Sequence, residues 1–334
     1  MTLFSVLLPL RNADRFLKEA IDSVLAQTIP DFELIVVLDH STDGSEAIAR
    51  SVQRQDLRVR LLQNPGVGLV DALNAGAEIA TGEFIARLDA DDRMRPNRLK
   101  SQRDRFAGRP EIVAIGSSAV VIDEASRPVG RIKVVTGDAA IRFRLMRSNP
   151  FVHSSMTMRR SAFVTAGRYR HDFPHAEDYD LWLRLAQRGR LANIAEPLVD
   201  HRRHSDSVSA RFSDAQRLNR QLCILEWKRT TGVVEAPAAD RIRDDIVRLF
   251  GRAADLAGNA ERLEEGDLDL FARALPHLSG DESRRLSRLV RQARHAGKVG
   301  PAAAAAFQVQ ATVTSRIAFA RNCRTAVRAL RTVP

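Results

Sequence analysis

Two short runs near the start of the chain, "FSVLLP" (Phe4–Pro9) and "ELIVVL" (Glu33–Leu38), constrain its architecture more than any other feature. Each is almost continuously apolar. A strand with one wet face alternates apolar and polar residues, whereas a strand buried on both faces does not. "RVRLL" (Arg58–Leu62) and "EFIARL" (Glu83–Leu88) repeat the signal more weakly. Between these runs the period becomes helical: Phe16, Leu17, Ala20, Ile21, Val24 and Leu25 share one face. Ser45–Gln55 and Leu69–Ala80 are the next two amphipathic segments. Strand–helix–strand repetition of this kind predicts a parallel sheet covered by helices.

Further along, Ile112–Ile122 and Ser154–Arg159 read as strands mixed with hairpins. "EDYDLWLRLAQRG" predicts a helix, with Leu181 and Leu185 stacked one turn apart and Gly189 as its C-cap. "LANIAEPLVDHRRH" reads as a final strand pair. From about Ser213 strand signals stop, and Arg/Ala/Leu-rich helical runs continue to Pro334. The expected organisation is an α/β domain over 1–212 followed by an α-helical region over 213–334. After Glu282 that region contains no Asp or Glu, while basic residues continue from Arg284 to Arg331.

The chain has 334 residues, enough to bury the core of one large domain plus a smaller one. Its 44% hydrophobic and 28% charged content are those of a soluble globular protein. Cys223 and Cys323 are too few for a disulfide framework or a zinc site, and they fit a reducing compartment. The opening "MTLFSVLLPLRN" has no basic n-region and too short an apolar run for a signal peptide or a span. Gln308, Gln310 and Arg316 interrupt the apolar stretch near the end. The expected location is the cytoplasm. A net charge of +11 directs attention to anionic partners: nucleotides, nucleic acid or an anionic membrane surface.

Ligands of open α/β sheets bind outside the carboxyl ends of the strands. That rule selects "PLRN", "DHSTDGS" and "DADD", which should share one edge. The last gathers Asp89, Asp91 and Asp92 in a basic protein. In extended geometry Asp89 and Asp91 would point to the same side. Such carboxylates raise each other's pKa unless a cation compensates, and Mg²⁺ typically takes one or two carboxylates plus substrate phosphates. The same residues also fit a solvated turn in which Asp92 caps a helix beginning near Pro96. Asp39, at the exit of a buried strand, can accept a base N–H or a ribose hydroxyl. Ser41, Asp43 and Ser45 fit capping roles.

Gly66 and Gly68 precede a helix N-terminus, a favourable place for phosphate. Asn74 and Gly76 are poor residues for a helix interior, which implies close packing or a ligand contact. Glu177, Asp178 and Asp180 crowd a first helical turn, where the macrodipole favours acids; a general base is the other reading. His201, Arg202, Arg203 and His204 fit an exposed polar stretch.

Taken in order, "SVLLPLRNADRFLKEAIDSVLAQTIPDFELIVVLDHSTDGS", "GLVDALNAGAEIATGEFIARLDADD" and "EDYDLWLRLAQRG" resemble the family 2 glycosyltransferases of the GT-A fold over about residues 3–209. "MRPNRLKSQ" and "HRRHSDSVS" look like that family as well. The resemblance implies a GT-A-type, mostly parallel sheet flanked by helices, with a nucleotide-binding half, an acceptor half and an α-helical C-terminal appendage. It implies inverting, Mn²⁺- or Mg²⁺-dependent transfer of a sugar from a nucleoside diphosphate. The expected donor is a UDP-sugar. The expected acceptor is a hydroxyl of a saccharide or lipid-linked molecule, in cell-surface polysaccharide or glycan synthesis.

In that reading Pro9, Arg11 and Asn12 edge the nucleoside pocket, Asp39 contacts the base, and Asn74 and Ala90 also belong to the donor site. Asp91 is the main metal ligand, Asp89 contacts ribose or metal, and His204 matches a metal-proximal position that closes over the diphosphate. Asp178, of the pair Glu177–Asp178, is the base. Asp92 receives no role. The family commonly has two adjacent acids after the second strand; here Leu38 replaces the first and His40 follows Asp39, which puts the donor base in doubt.

Two other readings compete. A metal-dependent nucleotidyltransferase would place a glycine-rich loop after the first strand, and "PLRNADRF" has Arg11 but no glycine. A basic, non-enzymatic nucleic-acid-binding protein fits the charge. No helix-turn-helix, aromatic RNA-binding motif or zinc spacing is present and aromatic content is 5%, so no nucleic-acid partner is expected. For the basic tail, a solvated amphipathic helix and peripheral attachment to an anionic inner-membrane surface both fit.

Overall fold

The computed structural model describes residues 2–204, 213–255, 263, 265–278, 280–295, 299, 303–304 and 307–308. Cys323 and most of the basic tail lie outside the described residues. The chain divides into two compact units. One comprises Met1–Arg142, Asn149–Asp172 and Arg184–Arg211; the other comprises Phe143–Ser148, Phe173–Leu183 and Phe212–Pro334.

The first unit is built on one sheet. Its amino-terminal part alternates β1 (Phe4–Leu10), α1 (Asp14–Leu25), β2 (Phe32–Leu38), α2 (Ser45–Gln53), β3 (Val59–Gln63), α3 (Leu69–Glu78) and β4 (Phe84–Arg87). Then come β5 (Arg93–Met94), α4 (Arg98–Phe106), β6 (Ile112–Ile122) and β7 (Pro128–Ile132). α5 (Asp138–Leu145), a 3₁₀ turn at His153–Ser155, β8 (Thr157–Arg159), α6 (Arg160–Thr165), α7 (Glu177–Leu185) and β9 (Arg190–Arg202) follow in the chain, the end of α5 and most of α7 belonging to the second unit. The strand order is β3-β2-β1-β4-β8-β6-β9-β5, with β7 paired to β6. The parallel part expected from the sequence is the β3-β2-β1-β4 side. Beyond β4 the sheet is mixed, with β8 antiparallel to both its neighbours and β6 parallel to β9.

The apolar runs are where burial on both faces demands them: β2 is buried throughout, and β1 at all but Pro9. α1 covers the sheet with Phe16, Leu17, Ala20, Ile21 and Val24. Fully burying side chains the size of Phe16, Leu17, Ile21 and Val24 contributes about 1.5–3 kcal/mol each, which sets the helix on the sheet more firmly than its propensities could. α3 comes closest. A Cβ on Gly76 would sit 3.0 Å from Val37 Cγ2 and 3.2 Å from Leu7 Cδ2, so the glycine in this helix answers to close packing.

Two sequence expectations are corrected. "LANIAEPLVDHRRH" forms the single strand β9, not a pair. Its partners on β6 step from Ile194↔Ser117 to Pro197↔Ser118, so two residues bulge out and Pro197, which has no N–H to donate, sits at the irregularity. Gly189 is not the C-cap of α7, which ends at Leu185. A Cβ there would lie 2.4 Å from Val113 Cγ1 and 2.7 Å from the Glu111 carbonyl oxygen, so glycine is required by the neighbouring strand.

The second unit contains the helices Ser213–Thr230, Ala236–Asp255, Glu265–Ala274 and Gly280–His295. Its apolar faces include Ile246, Leu249 and Phe250, then Leu268 and Phe271, then Leu286, Val290 and Ala293, all buried. The ion pairs Arg252–Asp267 (2.8 Å) and Arg217–Glu282 (3.2 Å) tie these helices laterally. Within the same unit the Tyr179 hydroxyl donates to the Leu145 carbonyl. No helix among the described residues is long and apolar enough to cross a membrane.

Candidate active site

Because β2, β1 and β4 are parallel neighbours, their carboxyl ends open on one edge of the sheet, and the three polar segments leave from it. The Asp39 N–H donates to the Leu10 carbonyl (2.8 Å) and the Leu88 N–H to the Leu7 carbonyl (3.0 Å). These bonds face opposite neighbours, so strand alternation turns the Pro9 nitrogen toward β4, whose ladder ends at Arg87. The missing N–H of Pro9 therefore breaks no ladder bond.

The loops after β1 and β2 brace each other. Asn12, in the left-handed region (φ 48°), donates its N–H to Ser41 Oγ at 3.0 Å and accepts the Thr42 N–H at 2.8 Å. Ser45 Oγ accepts the Ala13 N–H at 2.9 Å, and Asp43 accepts those of Asp14 (3.1 Å) and Ser45 (3.0 Å). Ser45 is the first residue of α2, after the N-cap Gly44, so its hydroxyl serves the start of α1, while Asp43 accepts N–H groups at the starts of both helices.

Asp39 is buried, and its carboxylate accepts Asn64 Nδ2 at 2.7 Å and the Gly68 N–H at 3.0 and 3.1 Å. Arg11, mostly exposed, pairs with it at 3.8 Å. Gly68 has φ 93°, a conformation that side chains resist, so a glycine is needed for the loop to reach Asp39. The phosphate position expected at Gly66 and Gly68 is corrected. Asp71 accepts the Val67 N–H at 3.0 Å and fills the space beside Gly66, so the chain's own carboxylate meets the N-terminus of α3. Asn74, expected in the donor site, donates Nδ2 to the Tyr169 carbonyl (2.9 Å) and accepts the Tyr169 N–H on Oδ1 (3.1 Å), so it braces that backbone. The Tyr169 hydroxyl in turn lies 2.9 Å from His153 Nε2.

The acidic segment after β4 is a turn and does not continue the extended strand: the Asp92 N–H donates to the Asp89 carbonyl at 3.2 Å, with Ala90 buried between them. The turn still gathers Asp89, Asp91 and Asp92, each offering an oxygen within 4.8 Å of the others'. Their partners differ. Asp89 pairs with the buried guanidinium of Arg87 and accepts the Ser154 hydroxyl at 2.8 Å. Burial pushes the Asp89 carboxyl up, but Arg87 and Ser154 outweigh it and hold it at about 2. Asp92 is buried and accepts the Arg202 N–H at 2.7 Å, with His201 Nδ1 3.1 Å away. It caps β9, not a helix; α4 begins after Asn97. Burial lowers the His201 pKa, but the bond to Asp92 and the surrounding carboxylates raise it to about 9. Asp91 lies 2.9 Å from His204 Nε2. Burial, with Asp92 and Asp89 beside it, raises the Asp91 carboxyl against the His204 hydrogen bond.

Several residues here escaped the sequence reading. Arg202 is buried, not part of an exposed polar stretch: Nε donates to the Asp91 carbonyl (2.8 Å), Nη2 to Glu19 (2.9 Å), and the group stacks 4.3 Å over Phe16. Arg98, fully buried, donates to the carbonyls of Ser154 (2.6 Å), Arg87 (2.9 Å) and Met156 (3.0 Å). An arginine inside the buried run "FIAR" was the available signal for this layer.

Glu177 and Asp178 lie in the second unit, in the first turn of α7. Glu177 is buried; Asp178 is half-buried, and its carboxylate accepts the Tyr179 N–H at 2.6 Å.

Residues 5–166 match the family model described as Glycosyl transferase family 2. The amylovoran biosynthesis glycosyltransferase AmsE of Erwinia amylovora is 32% identical over 213 residues, which cover 63% of this chain and 79% of AmsE. The chain belongs to glycosyl transferase family 2. Among solved structures, TarS 1–349 of S. aureus in complex with UDP-GlcNAc superposes with a TM-score of 0.59 at 16% identity, over 98% of this chain and 91% of TarS. The mannosyltransferase PcManGT of Pyrobaculum calidifontis, in complex with GDP-Man and Mn²⁺, gives 0.50 at 18% identity, over 93% and 86%. At these identities the likeness speaks for the fold, which is of the GT-A type.

Proposed function

We propose that this family 2 glycosyltransferase is an inverting, divalent-metal-dependent enzyme. In this reading it moves a sugar from a nucleoside diphosphate, for preference UDP, to a hydroxyl of a saccharide or lipid-linked acceptor in cell-surface polysaccharide synthesis. The observation that carries the reading is the junction of Asp91 with His204, 113 positions apart in sequence and 2.9 Å apart in space, just beyond the carboxyl ends of β4 and β9. The names of AmsE and of the UDP-GlcNAc and GDP-Man complexes support the substrate class.

The donor set fits a hard cation: carboxylate oxygens of Asp91 and Asp89 converge, with an imidazole beside them. A divalent ion there would offset the charge that gathers on the β-phosphate as the sugar departs. Pro9, Arg11, Asn12 and Asp39 edge the nucleoside site, with Asn74 bracing Tyr169 behind it. Asp178 takes the proton of the attacking hydroxyl as the bond to the sugar forms, and Glu177 supports it. Residues 1–212 form the catalytic domain and 213–334 a helical region. Its basic face, with Arg284, Arg288 and Arg291 exposed, attaches peripherally to an anionic membrane surface.

A thermal-shift panel of UDP-, GDP- and dTDP-sugars, with and without Mn²⁺, tests the reading. One nucleotide sugar with Mn²⁺ should stabilise the protein by about 2.7 kcal/mol at a hundredfold excess over its Kd. If no nucleotide sugar moves the midpoint, the proposal fails. For the membrane part, equal recovery in the soluble fraction of the full chain and of a version ending at Arg211 in liposome flotation would sink it.

A further inference from the structure

A cavity of about 330 Å³ lies in the first unit between β5, the segment that follows it and the last part of β9. That is within the size range of small-molecule sites. None of the residues lining it belongs to the proposed donor or metal site. Asp200 divides its two carboxylate oxygens between Arg93 Nη2 and Arg95 Nε, each at 2.9 Å. Other polar groups of the lining are unused. Among the described residues the Nη groups of Arg95, the Asn97 side-chain nitrogen and the Glu196 carboxylate have no partner.

Glu196 reaches the lining because β9 is irregular there. The register on β6 steps from Ile194↔Ser117 to Pro197↔Ser118, so Ala195 and Glu196 are the two residues that bulge out. Bulges re-aim side chains, and this one adds an exposed carboxylate to a cavity that already holds two guanidinium groups. Asp200 and His201 are consecutive in β9 and leave opposite faces of the strand: His201 meets Asp92, whereas Asp200 meets the two arginines. The cavity thus lies across the strand from the Asp92–His201 pair.

The charges select the ligand. Arg93 and Arg95 balance Asp200 and Glu196. An anion would face two carboxylates and a cation two guanidinium groups, so neither is favoured. A neutral polyhydroxylated molecule suits both, because each hydroxyl donates to a carboxylate or accepts from an N–H. Pro96 and Pro197 add apolar surface for the C–H face of a sugar ring. We propose that this cavity is a pocket for a neutral saccharide, separate from the transfer site, with Glu196, Arg95 and Asn97 holding the hydroxyls. In the synthesis proposed above it would hold part of the growing chain and raise its effective concentration at the enzyme. That role rests on the transferase reading, whereas the binding itself does not.

Saturation-transfer difference NMR on the full chain, with neutral tetrasaccharides of glucose, galactose, mannose and N-acetylglucosamine as probes, tests this. At least one probe is expected to bind wild type. Glu196→Ala, at an exposed position, should weaken that binding about tenfold, and Asn97→Ala about threefold. Asp91→Asn should leave it within about twofold, and inorganic phosphate should not displace the probe. Glu196→Ala should also keep the wild-type thermal shift with nucleotide sugar. Absence of binding by every probe, unchanged binding in folded Glu196→Ala, or displacement by phosphate would overturn the inference. So would loss of the nucleotide-sugar shift together with probe binding, which would mean one site and not two. Failure of every nucleotide sugar in the thermal-shift panel would remove the transferase reading and the chain-holding role, and leave the pocket to be decided by the probes.

Discussion

The loops that follow β2 and β4 leave the same edge of the sheet, one strand apart, and each carries an aspartate just beyond the carboxyl end of its strand. They are built on different physics. Around Asp39 the partners are neutral donors, the Asn64 amide and the Gly68 N–H, with Arg11 as an exposed charge at 3.8 Å. Around Asp89 the partner is a buried guanidinium, underlain by a second one in Arg98. Neutral donors hold a carboxylate at moderate cost when one partner is lost. A buried ion pair is costly to break, because the surviving charge stays in a medium that cannot solvate it. The β2 loop therefore tolerates adjustment, whereas the β4 turn is all-or-none.

The sharpest way to separate the two loops is catalytic. Asp91→Asn is expected to lower sugar transfer by about 10³-fold, equal to roughly 4 kcal/mol, with the thermal midpoint little changed; steady-state turnover checks it. Wild-type turnover would place the metal chemistry elsewhere. Arg98→Met should follow at about 3 kcal/mol of stability in urea unfolding, since three carbonyls lose their donors. Asp39→Asn, on the softer loop, is expected to cost about 2 kcal/mol and to raise the KM for donor more than it lowers kcat. Equal losses from Arg98→Met and Asp39→Asn would erase the contrast.

The acid limb of stability offers a smaller effect. The Asp89 carboxyl is held at about 2, below its ordinary 3.8, so its contribution is complete above pH 4 and is lost as pH falls toward 2. Metal-free Asp89→Asn should show a shallower fall in stability across that window. Smallest is Arg11→Ala, within about 0.5 kcal/mol, because the pair it breaks is mostly solvated on the arginine side.

The parallel side of the fold was legible because burial on both faces leaves an unambiguous trace; β1, β2 and their covering helices lie within two or three residues of their expected limits. β5 has only two residues, too few for a period, and β7 is exposed along most of its length and so leaves no apolar trace; both went unread. The acidic turn was visible as composition and position. What composition could not supply was the division of labour within it. Asp89, Asp91 and Asp92 look equivalent in "DADD", and only the arrival of Arg87, Ser154, Arg202 and His204 from distant elements tells them apart. Arg87 itself was in plain sight, but a charged residue in a strand reads as an edge until the strand is known to be central.

The pairing of β9 has a consequence for how the chain tolerates length changes. Three times along β6 the partner register of β9 slips, so nothing in the ladder itself dictates where the strand must stop. The stop is imposed at its far end, where Asp92 grips the Arg202 N–H and the His201 ring. An inserted or deleted residue between Glu196 and Asp200 would be forgiven by the bulge but not by that grip. It would present the wrong face of the strand to the turn and carry His204 away from Asp91. In a library of single-residue insertions and deletions, this stretch should be structurally permissive and functionally silent, yielding soluble chains that have lost transfer.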